Sequence, residues 1–366
     1  MRAGSPDPRA TTLSDIPTPA LVVDLQALER NIRRMAAFFE SRRCKLRPHF
    51  KAHKTPEIAR RQLAAGSCTG LTCATVFEAE IASTVCDDIL IANELIGADK
   101  CRRVAGLARR ITVTVAIDSV AGLDAIGTAA RETGRTIGVL VDVNVGQNRC
   151  GVSPGSEAVA LAKRVAGTPG VELRGLMGYE GHAVGIASRA DREASVRRAM
   201  DRLVSTARML ADAGLPPTIV SAGGTGSYDI SSDVDGITEI QAGSYALMDT
   251  DYAGIGLPFE HALSVLGTVI SRPVPERGVA DCGHKSCTKD HGNPAVKDIP
   301  GASVLTLNDE HATIALPPGC ALAIGDRIQL LPSHIDPTMN LHDLVYAFDG
   351  DTVVGVWPIA ARGYSR

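Results

Sequence analysis

Gly138-Val139-Leu140-Val141-Asp142-Val143-Asn144 carries aliphatic side chains at nearly every position and ends on polar ones. A strand with one wet face would alternate apolar and polar residues. A strand buried on both faces reads as a continuous apolar run, the mark of a parallel sheet covered by helices. Similar runs surround it at 20–25, 46–51, 70–74, 89–93, 112–118, 173–179 and 218–222. Amphipathic segments such as 25–40 and 189–213 separate them, and Gly214 stands where the second would stop. Strand-like runs alternating with helices predict an α/β fold, a (β/α)8 TIM barrel over residues 18–255. An open, doubly wound sheet has the same rhythm and stays the alternative, because periodicity does not report closure.

Past residue 255 the pattern changes. Runs at 263–271, 278–281, 311–316, 327–331, 344–348 and 352–357 are separated by Pro and Gly turns, with no long helical pattern between them. This predicts a second, C-terminal all-β domain at 256–366. The polar, Pro-rich residues 1–17 read as an arm belonging with it.

Aromatic residues make up 4% of the 366, so small aliphatic side chains must fill the core. A net charge of −3 with dispersed Lys and Arg gives no basic stripe for a nucleic acid. No apolar run is long enough for a membrane span, and the N-terminus has no apolar leader. The nine cysteines are odd in number and lack CxxC spacing, which predicts reduced thiols in a cytoplasmic protein.

The polar ends of the apolar runs carry the chemistry. In a barrel they share one mouth, where active sites sit. Arg47-Pro48-His49-Phe50-Lys51-Ala52-His53-Lys54 is the densest of them. Read as a strand, it places His49, Lys51 and His53 on one face. Desolvation and neighbouring cations would then favour a neutral Lys51 amine, the form an imine-forming nucleophile needs. A basic loop in solvent would also read this way. Ser221-Ala222-Gly223-Gly224-Thr225-Gly226-Ser227 offers close backbone N–H groups and hydroxyls to a phosphate, and Gln241-Ala242-Gly243-Ser244-Tyr245 adds donors; a plain turn is the alternative. Arg149, in Gln147-Asn148-Arg149-Cys150-Gly151, offers a cation to a phenolate or carboxylate. Tyr179, in Tyr179-Glu180-Gly181-His182, ends the run at 173–179. In the β domain, His334 and Asp336 of Ser333-His334-Ile335-Asp336-Pro337-Thr338 project to one face if extended, a two-ligand spacing that suits manganese or magnesium better than structural zinc.

Together these motifs (RPHxKxHK, QxRCG, GGTGS, QAGSY, DEH and PSHxDPTxNLHD) resemble the D-threonine aldolase and D-serine dehydratase-like family, fold-type III pyridoxal-phosphate enzymes with an alanine-racemase-like N-terminal barrel. The resemblance runs from about residue 18 to about 362. It implies that Lys51 forms the imine to pyridoxal 5'-phosphate. Gly224, Thr225, Gly243 and Ser244 would hold the phosphate, with Gly223 and Tyr245 in the same loops. His49, Arg149 and Tyr179 would line the cofactor, and His334 and Asp336 would bind a divalent metal, manganese first, with magnesium or zinc as alternatives. The implied reaction is retro-aldol cleavage of a small-molecule D-β-hydroxy-α-amino acid to glycine and an aldehyde, with Lys51, His53 and Tyr179 as the catalytic set. His-x-Asp, rather than the His-x-Cys of D-serine dehydratases, leans toward the aldolase branch. A metal-assisted dehydratase, a racemase and a non-catalytic cofactor carrier are the alternatives. The resemblance also implies a homodimer. The chain departs from the family at 74–80, at Gly178-Tyr179-Glu180-Gly181, where aldolases read AYHG, and at 281–285.

Overall fold

The computed structural model describes residues 11–364. The chain forms two compact units. One comprises residues 34–51 and 58–243; the other comprises 52–57 and 244–363 together with the described residues up to 33.

The first strand, β1 (Ala20–Asp24), is not a barrel strand. The barrel is built from β2 (Lys45–Leu46), β3 (Leu71–Cys73), β4 (Asp88–Glu94), β5 (Thr112–Ile117), β6 (Ile137–Asp142), β7 (Val171–Gly178), β8 (Ile219–Ala222) and β9 (Glu239–Ile240). These pair in the order β2-β9-β8-β7-β6-β5-β4-β3, and every pair is parallel. Parallel bridges from Leu46 to Cys68 and from His49 to Thr72 join the two ends. The Thr72 N–H donates to the Pro48 carbonyl at 2.9 Å across this seam. The sheet is therefore closed, and the open-sheet alternative falls.

All six residues of β6 are buried, as its unbroken apolar run requires. Leu90, Ala116, Leu140 and Met177 pack into one buried cluster. Asp142 lies two residues beyond Leu140 on the same strand face, so it reaches the C-terminal rim above that layer.

The second unit carries a nine-stranded sheet. After β1 its strands are β10 (Leu263–Val274), β11 (Arg277–Ala280), β12 (Ala295–Val296), β13 (Ser303–Leu307), β14 (Ala312–Ala315), β15 (Arg327–Leu331), β16 (Leu344–Asp349) and β17 (Thr352–Pro358). β1 runs antiparallel to β10, with Ala20 opposite Leu266, and parallel to β16, with Leu21 opposite Val345. Ile16, Ala20, Val22, Leu266, Tyr346 and Phe348 form its core.

Three sequence expectations are corrected here. The run at 20–25, expected in the barrel, is a central strand of the other unit's mixed sheet; such a strand is buried on both faces too and gives the same apolar signature. The run at 218–222, expected as the eighth barrel strand, is the seventh. The eighth is Glu239–Ile240, two residues with no apolar run to announce it. Short helices also interrupt the β unit, including Ile335–Asn340, which a wholly β reading did not contain. Among the described residues no helix is long and apolar enough to cross a membrane.

Candidate active site

Lys51 follows the C-terminal end of β2, in the 3-10 turn Phe50–Ala52. The strand ends at Leu46, so the alternation argument for 47–54 fails, and the three basic residues do not share a strand face. Lys51 is exposed and His49 is half-buried. His53 is completely buried, its Nδ1 accepting the Thr55 N–H at 3.1 Å. The desolvation predicted for Lys51 is thus not supplied by protein atoms, and His53, expected as a base, does not face solvent. His49 contributes through its backbone: its N–H donates to the Ala242 carbonyl at 3.0 Å, tying β2 to the residues that follow β9.

The same face carries Arg149 after β6, Tyr179 after β7, the Gly223 loop after β8 and Gly243 after β9. The Arg149 guanidinium carbon lies 5.6 Å from the centre of the Tyr179 ring. The ring lies along the glycine loop, because a Cβ at Gly224 would stand 3.3 Å from its Cε2. Gly223 has φ +76°, in the left-handed region that glycine tolerates. Its N–H donates to Glu180 at 3.2 Å, while the Gly224 N–H meets the Ser227 hydroxyl at 3.2 Å. These two amides serve the loop itself, so Gly223 contributes conformation rather than a free donor. Thr225 is buried. In the other unit Ser244 opens the 3-10 turn Ser244–Ala246. Tyr245, expected as a donor, is 1% exposed and packs on Phe259 with ring centres 5.7 Å apart.

Sequence reasoning missed Glu180 as a support of this face and, of the acids beside Arg149, placed only Asp118 at the mouth. Glu180 has no exposed surface and accepts from Gly223 N–H, from Ser227 Oγ at 2.7 Å and from Ser231 Oγ at 2.5 Å. It was read only as polarity beside Tyr179. Asp142, Glu94 and Asp118 gather around Arg149 and Cys150. Burial, then the neighbouring Glu94 carboxylate, pushes the Asp142 acid up to about 8, while Arg149 opposes the shift. Their signal was visible as acids at the ends of three apolar runs.

In the β unit, His334 caps the helix Ile335–Asn340 and Asp336 lies in its first turn. The extended reading of 333–338 is therefore corrected. Pro337, which lacks an N–H, is tolerated in a first helical turn, where amide donors have no intrahelical partner. The two candidate ligands still converge, with His334 Nε2 3.8 Å from Asp336 Oδ2. The helix start is held by Asp249, whose Oδ2 accepts the Ile335 N–H at 3.3 Å, and burial pushes the Asp249 acid up to about 6. Oδ1 of Asp336 is buried and accepts no hydrogen bond among the described residues. A buried orphan carboxylate oxygen beside an imidazole nitrogen fits a hard or borderline divalent ion.

A closed parallel barrel presenting a lysine, an arginine, a tyrosine and a glycine loop at its C-terminal face defines the class of pyridoxal-phosphate enzymes with the alanine racemase barrel. The chain belongs to the family described as "Alanine racemase, N-terminal domain", matched over residues 23–251, and residues 262–348 match the "Putative serine dehydratase domain". It is 42% identical over 361 residues to the D-threonine aldolase of Arthrobacter sp., covering 97% of this chain and 95% of that one. The crystal structure of D-threonine aldolase from Filomicrobium marinum superimposes with a TM-score of 0.94 at 39% identity, covering 97% of this chain and 98% of that one. D-threo-3-hydroxyaspartate dehydratase from Delftia sp. HT23 gives a TM-score of 0.88 at 30% identity, covering 97% and 100%.

Proposed function

We propose that this protein is a pyridoxal-phosphate- and divalent-metal-dependent aldolase that cleaves a D-β-hydroxy-α-amino acid of the D-threonine type to glycine and an aldehyde. The observation that carries this reading is the convergence of Lys51, Arg149, Tyr179 and the Gly223–Thr225 loop on the C-terminal face of one closed barrel. When bound, pyridoxal phosphate supplies an electron sink for the pair left at Cα as the Cα–Cβ bond breaks. A divalent ion held by His334 and Asp336 supplies Lewis acidity toward a hydroxyl oxygen, with manganese the first choice and magnesium or zinc the alternatives.

The chain's own residues do the rest. Lys51 offers its exposed amine as the covalent anchor, and on displacement that amine can take or return a proton. Arg149, beside the Tyr179 ring, would present a cation to the phenolic oxygen of the cofactor. Tyr179, lying against Gly224, limits where a planar ring can rest. In the barrel unit, backbone N–H groups of Thr225 and Gly243 and the Thr225 hydroxyl would be the phosphate donors, and Gly224 would allow its close approach. His53 has no place in this reading, because it is buried.

The relation to the Delftia dehydratase keeps elimination of water from a D-3-hydroxy amino acid as the second reading. A product assay with D-threonine separates the two. Glycine and acetaldehyde, lost on chelation and restored by manganese, are the expected products. 2-Oxobutyrate with ammonia would mean a dehydratase, L-threonine a racemase, and bound cofactor without any product a carrier. The proposal includes a cytoplasmic homodimer, supported by nine free cysteines and by the fold class. Light scattering on the purified chain tests the dimer.

A further inference from the structure

Beyond the His334–Asp336 pair, the β unit gathers Asp290 and His291, whose ligand atoms and those of His334 all lie within 4.8 Å of one another. Three such groups invite the reading of a larger ligand set, but the geometry divides them into different tasks. His334 Nδ1 lies 2.7 Å from Asp290 Oδ2. An ionised carboxylate only accepts, so Nδ1 carries the hydrogen and Nε2 keeps its lone pair on the Asp336 side of the ring. The other oxygen of Asp290 accepts from the Thr288 hydroxyl at 2.8 Å, which fixes the carboxylate in place.

His291 is placed differently. Its ring stacks on that of His334, with centroids 4.3 Å apart and planes 14° from parallel. An imidazole lone pair lies in the plane of its ring. Two near-parallel stacked rings therefore direct their lone pairs along separate planes and cannot share one ion. His291 Nδ1 is also tied to Asp251 Oδ2 at 3.1 Å.

We infer that Asp290 is the positioning carboxylate of the metal-binding imidazole, and that His291, tethered by Asp251, is a stacking plate for the His334 ring rather than a third ligand. The inference rests on the reading of His334 and Asp336 as the metal pair. Carboxylates placed behind a ligating histidine fix its tautomer and raise its basicity, and their loss typically weakens metal affinity about 10–100-fold.

The test is manganese titration of the full chain, followed by the electron paramagnetic resonance signal of the free ion, with no substrate present. Asp290→Ala should weaken binding about 10–100-fold and Asp290→Asn less, since the amide oxygen still accepts from Nδ1. His291→Ala should cost about 3-fold or less, well short of a lost ligand. Nitrogen-15 spectra should show His334 protonated at Nδ1 in the wild type and a tautomer mixture in Asp290→Ala. Asp290 is 44% exposed, so its replacement leaves the core intact. Wild-type affinity in Asp290→Ala would overturn the positioning role. Abolished binding in His291→Ala would overturn the plate and make it a ligand. Asp336→Ala should bind no manganese; wild-type affinity there would remove the metal reading itself, a failure distinct from the other two.

Discussion

The Glu180 carboxylate and the Ser231 hydroxyl meet at 2.5 Å with neither residue exposed. Together with Ser227 and the Gly223 amide, this contact anchors the glycine loop from beneath.

Removing the clamp leaves three buried donors unsatisfied, each costing about 1–3 kcal/mol before relaxation. Glu180→Ala should lose about 3 kcal/mol in urea unfolding and bind pyridoxal phosphate more weakly in a fluorescence titration. Glu180→Gln should retain part of both. A variant with wild-type stability and cofactor affinity would show that the loop holds itself.

Lys51 is the predicted covalent anchor. Borohydride reduction of the cofactor-loaded chain, followed by peptide mapping, should place the pyridoxyl label on Lys51. Lys51→Ala should take up none. A label on Lys45 or Lys54 would overturn the assignment.

The barrel's N-terminal side holds a buried ion pair. Arg47 donates to Glu239 at 2.9 Å with both side chains 4% exposed, and to the more open Asp88 at 2.8 Å. Removing one partner of a buried pair strands the other charge and typically costs about 3–5 kcal/mol. Glu239→Gln should sit near the lower end, because Asp88 remains. Equilibrium denaturation measures it, and a change under about 1 kcal/mol would contradict the burial argument.

Asp142 makes a prediction about pH. Its acid, ordinarily near 3.8, is raised in the fold to about 8 by burial and by Glu94. Between these values the folded chain holds more protons than the unfolded chain, so stability falls as pH rises from about 4 to about 8 and levels off above. Asp142→Asn removes that slope. The urea midpoint of the wild type should therefore fall more between about pH 5 and pH 9 than that of the variant, and equal falls would refute it.

Much of this was legible beforehand because buried parallel strands and glycine loops leave a compositional mark. The runs at β4 through β8 announced themselves, as did β10, β11 and β14 through β17, whereas β12 and β13 did not. The sequence signal failed where two structures share one mark, as at Ala20–Asp24, buried on both faces in a different sheet. It failed again where an element is too short to have a pattern, as at Glu239–Ile240. In the site, residue types at Lys51, Arg149 and His334 could be read directly. Their orientation could not, because 47–54 and 333–338 read as extended by spacing, whereas 50–52 form a 3-10 turn and 335–340 a helix. Glu180 was invisible as a clamp because its partners lie more than 40 positions away in the chain.

The barrel closes where its strands are shortest. β6 and β7 zip along most of their length, whereas β2 and β3 meet over the short stretch from Leu46 to His49 before the chain turns at Lys51. That join carries fewer ladder pairs than β6–β7, and deuterium should enter the Thr72 amide sooner than those buried in β6. Lys51, the proposed anchor, thus rides on staves joined by few pairs, and mutations that loosen them would be felt first in catalysis and only later in melting.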